Sequence, residues 1–325
     1  IELVEGRLGE ELTYFELLTV LAFEAFFDRA VHAAVIETGL GGEYDATNVA
    51  DATVGVLTNV SLDHVRQFGG DLAKAAWEKA GIAKEGTVLV TGVEQDDLFQ
   101  IVESRAKEKG AASVLRLGRD FDVVERMPGI GGQAITVATP RGRYEEMFLS
   151  LFGSHQATNA ALAITACEEF VSELIPNDAL ERALGTVTTP ARMEILRRHP
   201  LIVCDGGHNP AAASSVRSAV EESFTFERLI LVIGMVDTKP IDDVAAIWAP
   251  ITDQAVVCVP KTDRAAEASR ILDALTAAGI DRGNIDVIED VPTAVEYAIG
   301  QATDEDLVMV FGSFYTASEA RKVRL

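Results

Sequence analysis

The sequence predicts an α/β protein of two domains, the second a doubly wound, Rossmann-like sheet. Three observations lead there. The chain has 325 residues, more than one hydrophobic core ordinarily serves. Short apolar runs rich in β-branched residues and bounded by Gly, Asp or Asn recur along it, as expected of strands buried on both faces. From Leu201 five such runs, LIVCD, RLILVIG, AVVCV, IDVIED and DLVMVFG, alternate with helical stretches near 211–223, 241–248, 264–278, 292–300 and 315–323. That alternation builds a parallel sheet covered by helices. The domains are expected to span residues 1–189 and 190–325.

In the first domain, residues 13–28 (TYFELLTVLAFEAFFD) are apolar nearly all round and predict a buried helix, with Tyr14, Phe15, Phe23, Phe26 and Phe27 in the core. Val35 and Ile36 form an expected strand ending at Glu37. Val54, Val56 and Leu57 form another, followed by Asp63 and His64. Ligands of open α/β sheets bind beyond the carboxyl ends of strands, so a carboxylate and an imidazole delivered there can converge. An amphipathic helix over 71–84 carries Lys79 in an apolar setting of Trp77, Ala80 and Ile82, while Lys74 and Lys84 read as surface lysines. TVLVTG (87–92), SVLRLG (113–118), FDVVER (121–126), AITVAT (134–139) and EEMFLSL (145–151) continue the sheet or add a β-rich flap, with a helix near 94–109. GSHQATNAALAITACEEF, from Gly153, starts a helix with Ser154 as its N-cap. In the joint at 179–196, Thr188, Thr189 and Pro190 break the helix and Arg192 follows; Arg197 and Arg198 read as solvated.

Two glycine-rich segments imitate a dinucleotide loop. GLGG from Gly39 would need glycine at position 44, where Tyr44 stands, and GIGGQA from Gly129 runs into an alternating strand instead of a helix. Neither supports a nicotinamide cofactor. DATN (45–48) taken alone is an Asx-type turn.

Acidic residues number 51 against 28 basic ones, a net charge of −23. This is a poor match for nucleic acid, and no basic run offsets it. Lysine supplies 8 of the basic residues and arginine 20. High net charge with scarce lysine fits a protein kept soluble in a salty cytoplasm, where molar salt shortens the Debye length to about 3 Å. No apolar run approaches the roughly 18 residues that cross a bilayer. Cys167, Cys204 and Cys258 are widely spaced beside apolar neighbours and read as reduced core thiols of a cytoplasmic protein.

Several motifs fall in order along the chain: ETGLGGEYDATNV, LDH, EKAGI, HQATNAALA, PARMEIL, CDGGHNP and FGSFYTASEAR. Together they resemble the Mur ligase superfamily of ATP-dependent amide-forming enzymes, in its folylpolyglutamate synthase and dihydrofolate synthase branch. The resemblance covers essentially the whole chain. It implies ATP and Mg2+, with Glu37 and His64 as metal ligands. Lys79 would be carbamylated, CO2 adding to its neutral amine to make an anionic oxygen ligand; partial desolvation supplies such an amine.

The resemblance also implies that His155, Gln156 and Asn159 contact the nucleotide, the last two offering the donor and acceptor pair that suits an adenine edge. Arg192 would reach the γ-phosphate, Asp205 would engage ATP at the domain hinge, and His208 would lie near the reacting carboxylate and incoming glutamate. Lys239, Arg264, Ser313 and Tyr315 are candidate substrate contacts at the same sheet edge. The chain departs from the family pattern at Glu43, usually basic, at Ala191, usually glycine, and at Gly207, usually alanine.

The implied reaction joins L-glutamate to a folate or dihydropteroate carboxylate through an acyl phosphate, in a monomer with small-molecule partners. The alternatives are a Mur-type ligase acting on a peptidoglycan precursor and a catalytically inert fragment of the fold. The 325 residues hold no G-x-x-x-x-G-K-[ST] loop, which the family carries near its N-terminus, so an opening block of the nucleotide domain is expected to precede Ile1.

Two expectations follow from these readings. Circular dichroism should show unfolding at low ionic strength, and full stability there would remove the salt-adaptation reading. Residues 1–325 alone should turn over negligible ATP, and robust turnover would show the missing-block account to be wrong.

Overall fold

The computed structural model describes residues 11–61 and 71–323, so His64 lies outside the described residues. The chain divides into two compact units. The first comprises the described residues up to Asp122 with Ala138–Gly142 and Ala161–Ile175; the second comprises Val123–Val137, Arg143–Ala160 and the chain from Pro176.

The first unit opens with α1 (Tyr14–Asp28), started by a capping box in which Thr13 Oγ1 accepts from Glu16 N and the Glu16 carboxylate accepts from Thr13 N. The expectation of burial fails here. Tyr14, Phe15 and Phe27 are exposed, as are Leu18 and Leu21, and only Thr19 of α1 is buried. The expected strand at Val35 and Ile36 is also absent: Val35 is 98% exposed and Glu37 sits on exposed coil. A strand needs a ladder partner, and among the described residues β1 (Val54–Leu57) pairs with β2 and the Val35–Ile36 run pairs with none.

α2 (Leu72–Ala80) is capped by Asp71, which accepts from Ala73 N and Lys74 N, and it stops at Gly81 instead of continuing to 84. β2 (Val88–Thr91), α3 (Asp96–Glu108) and β3 (Ser113–Arg116) follow, and β1-β2-β3 form a parallel sheet. Its core joins Leu57 and Leu89 to Ala75, Ala76 and Ala80 of α2 and to Phe99, Val102 and Ala106 of α3.

The DATN segment is the Asx-type turn its composition suggests. Asp45 Oδ1 accepts from Thr47 N at 2.9 Å, and Oδ2 accepts from Leu40 N at 2.7 Å. Asn48 Nδ2 donates to the carbonyls of Glu43 (3.0 Å) and Gly81 (3.2 Å). Lys84 is not a free surface lysine, since its amine donates to Asn48 O. Glu43 is held by Arg105 and Lys109, and Arg105 lies 3.7 Å from the centre of the Trp77 ring. Two cations therefore neutralise the acid that departs from the basic pattern.

In the second unit, β4 (Asp122–Gly129), β5 (Gly132–Ala138) and β6 (Arg143–Leu149) form a three-stranded sheet. α4 (Ser154–Val171) begins at Ser154 itself, and the Gly153 carbonyl accepts from Gln156 N and Ala157 N. Gly153, at φ +90, therefore occupies the cap position expected of Ser154.

After α5 (Asn177–Thr186) come β7 (Glu194–Arg198), β8 (Leu201–Cys204), α6 (Pro210–Ser223), β9 (Leu229–Ile233), α7 (Ile241–Trp248) and β10 (Gln254–Val257). α8 (Ala268–Ala277), β11 (Ile285–Val287), α9 (Val291–Gln301), β12 (Leu307–Phe311) and α10 (Phe314–Ala320) complete the chain. The sheet order is β11-β10-β9-β12-β8-β7, parallel except for β7, an edge strand that begins in the stretch read as a joint and runs past its end.

Alternation decides its two faces. Val203, Leu229, Leu231, Ile233, Met309 and Phe311 pack with α6, α7 and α8. Ile202, Cys204, Ile230, Val232, Val308 and Val310 pack with α9 and α10. Cys204 and Cys258 are buried thiols as expected, whereas Cys167 is exposed. Among the described residues no helix is long and apolar enough to cross a membrane.

Candidate functional site

β8 and β12 lie side by side in parallel, with Cys204 opposite Val310, so the segments that follow them leave the sheet together at its carboxyl edge. Asp205 is 2% exposed there. Its N–H donates to Val310 O at 2.9 Å, Oδ1 accepts from Gly207 N at 2.7 Å, and Oδ2 accepts from Met193 N at 2.9 Å. Gly206 N donates to Ala191 O at 2.8 Å. The turn around Arg192 is thereby fastened to the end of β8.

That turn is strained. Ala191 and Met193 sit at φ +57 and +47, a region that costs non-glycine residues roughly 1–3 kcal/mol each. The usual glycine at position 191 has its reason in this geometry. Arg192, between them, is exposed and holds its guanidinium 4.5 Å from the centre of the Phe314 ring. The same ring meets His208 edge-on, centroids 6.4 Å apart, and lies over Gly206, where a Cβ would stand 2.6 Å from it. His208 Nδ1 lies 3.1 Å from Gly206 O. A carbonyl can only accept, so Nδ1 carries the proton.

Electrostatics join His155 to this group. Its imidazole lies over Gly153, where a Cβ would come within 2.7 Å of Cε1. Burial, and then the charges of Arg192 and Arg126, hold it below its ordinary value, so it is neutral at neutral pH. Burial pushes the Asp205 carboxyl above its ordinary value, opposed by the N–H groups of Gly207 and Met193 and by Arg192 and His208. His155 Nδ1 and Thr189 Oγ1 are buried without hydrogen-bond partners, two polar atoms able to serve a ligand. Asn159 Nδ2 donates to Gln156 Oε1 at 3.2 Å, so this pair is already mutually oriented.

The structure therefore brings together His155, Arg192, Asp205 and His208. Farther along the same edge, Asp237 N donates to Arg264 O and Ala266 N to Met235 O, zipping the loop of Lys239 to that of Arg264. This pairing is also why α8 starts at Ala268, later than the expected 264. Arg264 Nη2 donates to Tyr315 Oη at 2.9 Å. Ser313 is buried and caps α10, accepting from Thr316 N at 3.0 Å.

In the first unit, Lys79 is half-buried in the last turn of α2 and Glu37 lies on exposed coil. Among the described residues no group of three or more His, Cys, Asp or Glu side chains could hold a metal ion. Sequence reasoning missed Phe314, though an aromatic directly after the cap serine in GSFY was a signal for it. It also missed Arg126, which no motif marks.

Residues 3–167 match the Mur ligase middle domain, and residues 191–314 match the Mur ligase glutamate ligase domain. The chain belongs to the Mur ligase family. It is 34% identical to the dihydrofolate synthase/folylpolyglutamate synthase of Mycobacterium tuberculosis over 97% of this chain and 69% of that protein. The crystal structure of M. tuberculosis folylpolyglutamate synthase complexed with ADP and AMPPCP superposes with a TM-score of 0.92 at 32% identity, covering 98% of this chain and 74% of that one. E. coli FolC in complex with DHPP and ADP gives 0.84 at 28% identity, covering 95% and 70%. Within the Mur ligases the chain therefore falls in the folylpolyglutamate and dihydrofolate synthase branch. Its glutamate ligase match begins at Ala191 and ends at Phe314, the two segments that the Arg192 stacking joins.

Because the Arg192 charge disfavours the imidazolium, Arg192→Gln should raise the His155 pKa toward its ordinary value in an NMR titration. An unmoved titration would place the guanidinium out of reach of His155.

Proposed function

We propose that this Mur ligase joins L-glutamate to a folate or dihydropteroate carboxylate at the expense of ATP. The observation that carries the reading is the convergence of His155, Arg192, Asp205 and His208 at the carboxyl edge of the sheet. The relatives crystallised with ADP, AMPPCP and DHPP support the choice of substrates.

A carboxylate is a poor electrophile because hydroxide is a poor leaving group. In the proposed sequence a carboxylate oxygen attacks the γ-phosphorus and ADP leaves, giving an acyl phosphate. The glutamate amine then attacks the acyl carbon, loses its proton, and phosphate departs from the tetrahedral intermediate. Positioning and charge neutralisation dominate such catalysis, so no nucleophilic side chain is needed.

Arg192 presents a planar fork of donors to the γ-phosphate, its guanidinium carbon lying 4.5 Å from the centre of the Phe314 ring. Asp205 acts beside ATP by holding the Arg192 turn through Met193 N. His155, neutral, can meet a nucleotide without adding charge, beside Gln156 and Asn159. His208 stands next to the reacting carboxylate and the incoming glutamate. Lys239 and the Arg264–Tyr315 pair supply charge for glutamate carboxylates, and Ser313 contributes through the cap that fixes this corner. The assignment of Mg2+ to Glu37, His64 and a carbamylated Lys79 rests on the sequence motifs, and the ion would supply further neutralisation of phosphate charge. A net charge of −23 is consistent with a cytoplasmic monomer working on small molecules.

The test is a ligation assay on the protein as its gene encodes it, with ATP, L-glutamate and, in parallel, dihydropteroate, tetrahydrofolate or a cell-wall precursor. Glutamate incorporation with matching ADP release is expected on a folate acceptor. Incorporation only on the cell-wall precursor would overturn the proposal.

A further inference from the structure

GIGGQA, the segment from Gly129 that imitates a dinucleotide loop, has a different use. Ile130 and Gly131 turn β4 into β5, and so short a connection can join only antiparallel neighbours. A Cβ on Gly132 would run into the Leu149 carbonyl oxygen, so the lack of a side chain lets β5 approach the end of β6 closely. The next residue, Gln133, is 1% exposed.

Its amide is used on every side. Nε2 donates to Leu151 O at 2.8 Å and to Gly153 O at 2.9 Å, while Oε1 accepts from Arg126 Nη1 at 3.1 Å. Arg126 is anchored in turn by an ion pair with Glu222. The Gly153 carbonyl is the one that receives Gln156 N at the start of α4, and the His155 ring lies over Gly153.

We propose that Gln133 is a positioning residue of the nucleotide site. It holds the Leu151–Gly153 turn, and through it His155, Gln156 and Asn159, with Arg126 as the third member of the clamp. This rests on the reading of the start of α4 as a nucleotide contact. Of the side chains of this size, only a primary amide offers two N–H donors and one acceptor in a plane. A carboxylate would set lone pairs against two carbonyls, and an apolar chain would take the side-chain donor from the Leu151 and Gly153 carbonyls and leave Arg126 with Glu222 as its remaining anchor. The charge of Arg126 also reaches His155, so the clamp bears on the same imidazole through backbone and through field.

The test compares Gln133→Met, Arg126→Lys, His155→Ala and Asn159→Ala in the protein as encoded, by calorimetric titration with ADP and by steady-state ligation kinetics. Gln133→Met should weaken ADP about tenfold and raise KM for ATP by a similar factor, leaving KM for glutamate within twofold. Arg126→Lys, which keeps the charge and loses the planar fork, should weaken ADP about threefold. A residue that only supports folding would lower kcat through the folded fraction and leave KM for ATP unchanged, and that result would overturn the inference. It also falls if His155→Ala loses ADP affinity while both clamp variants stay within twofold of the parent. Should His155→Ala and Asn159→Ala leave ADP affinity unchanged, the underlying nucleotide reading is what fails. If Gln133→Met does not fold, Arg126→Lys, altered at the outer end of the clamp, decides the matter alone.

Discussion

The second unit depends on one carboxylate that cannot reach water. Asp205 leaves the end of β8 and spends its oxygens on the N–H groups of Gly207 and Met193. Hydrogen bonds to a charged acceptor contribute roughly 1.5–3 kcal/mol each, comparable with the roughly 1–3 kcal/mol of backbone strain at each of Ala191 and Met193. The strained turn persists because the buried acid and Gly206 N hold it from two sides. Arg192 consequently extends from a fixed base onto Phe314, and a flexible side chain becomes a directed one.

The sheet makes that corner possible. Alternation along β8, β9 and β12 sends side chains to two separate layers of helices, leaving the carboxyl edge as the place where polar groups can gather. β12 inserts between β9 and β8, so Phe314 and Ser313, about a hundred residues after Asp205, emerge beside it. Ser313 turns α10 away from the edge, and Thr316 bonds back to Gly234 O at the end of β9. Packing and the site are thus two consequences of the same strand order.

How much of this was legible can be judged residue by residue. β8, β9, β10 and β12, with the helices between them, follow from apolar runs that are buried on both faces and carry their own turn signals. β7 was not legible, since EILRR has no apolar alternation strong enough to mark an edge strand. The helix at Tyr14–Asp28 was legible as a helix and not as an exposed one, for an apolar stretch specifies its conformation locally and its burial only through a partner. Val35 and Ile36 show the same division: β-branched residues favour a strand, and a strand exists only where another is alongside. In the site, His155, Arg192, Asp205 and His208 were marked by motifs. Arg126 lay in no motif, and Phe314 and Gln133 stood inside quoted segments without a role, because their roles are contacts with residues distant in sequence.

By itself the sequence determined the class of fold, the alternation of the second unit and the motif residues that meet at its edge, because periodicity and turn chemistry act over a few neighbouring residues. Tertiary structure alone decided which face of each element is covered, that Glu43 is neutralised by Arg105 and Lys109, that Ser313 is a cap, and that a glycine-rich decoy carries a clamp. Those outcomes depend on which groups come within hydrogen-bonding or van der Waals distance once the chain has closed on itself, and the linear order of residues does not encode those distances locally.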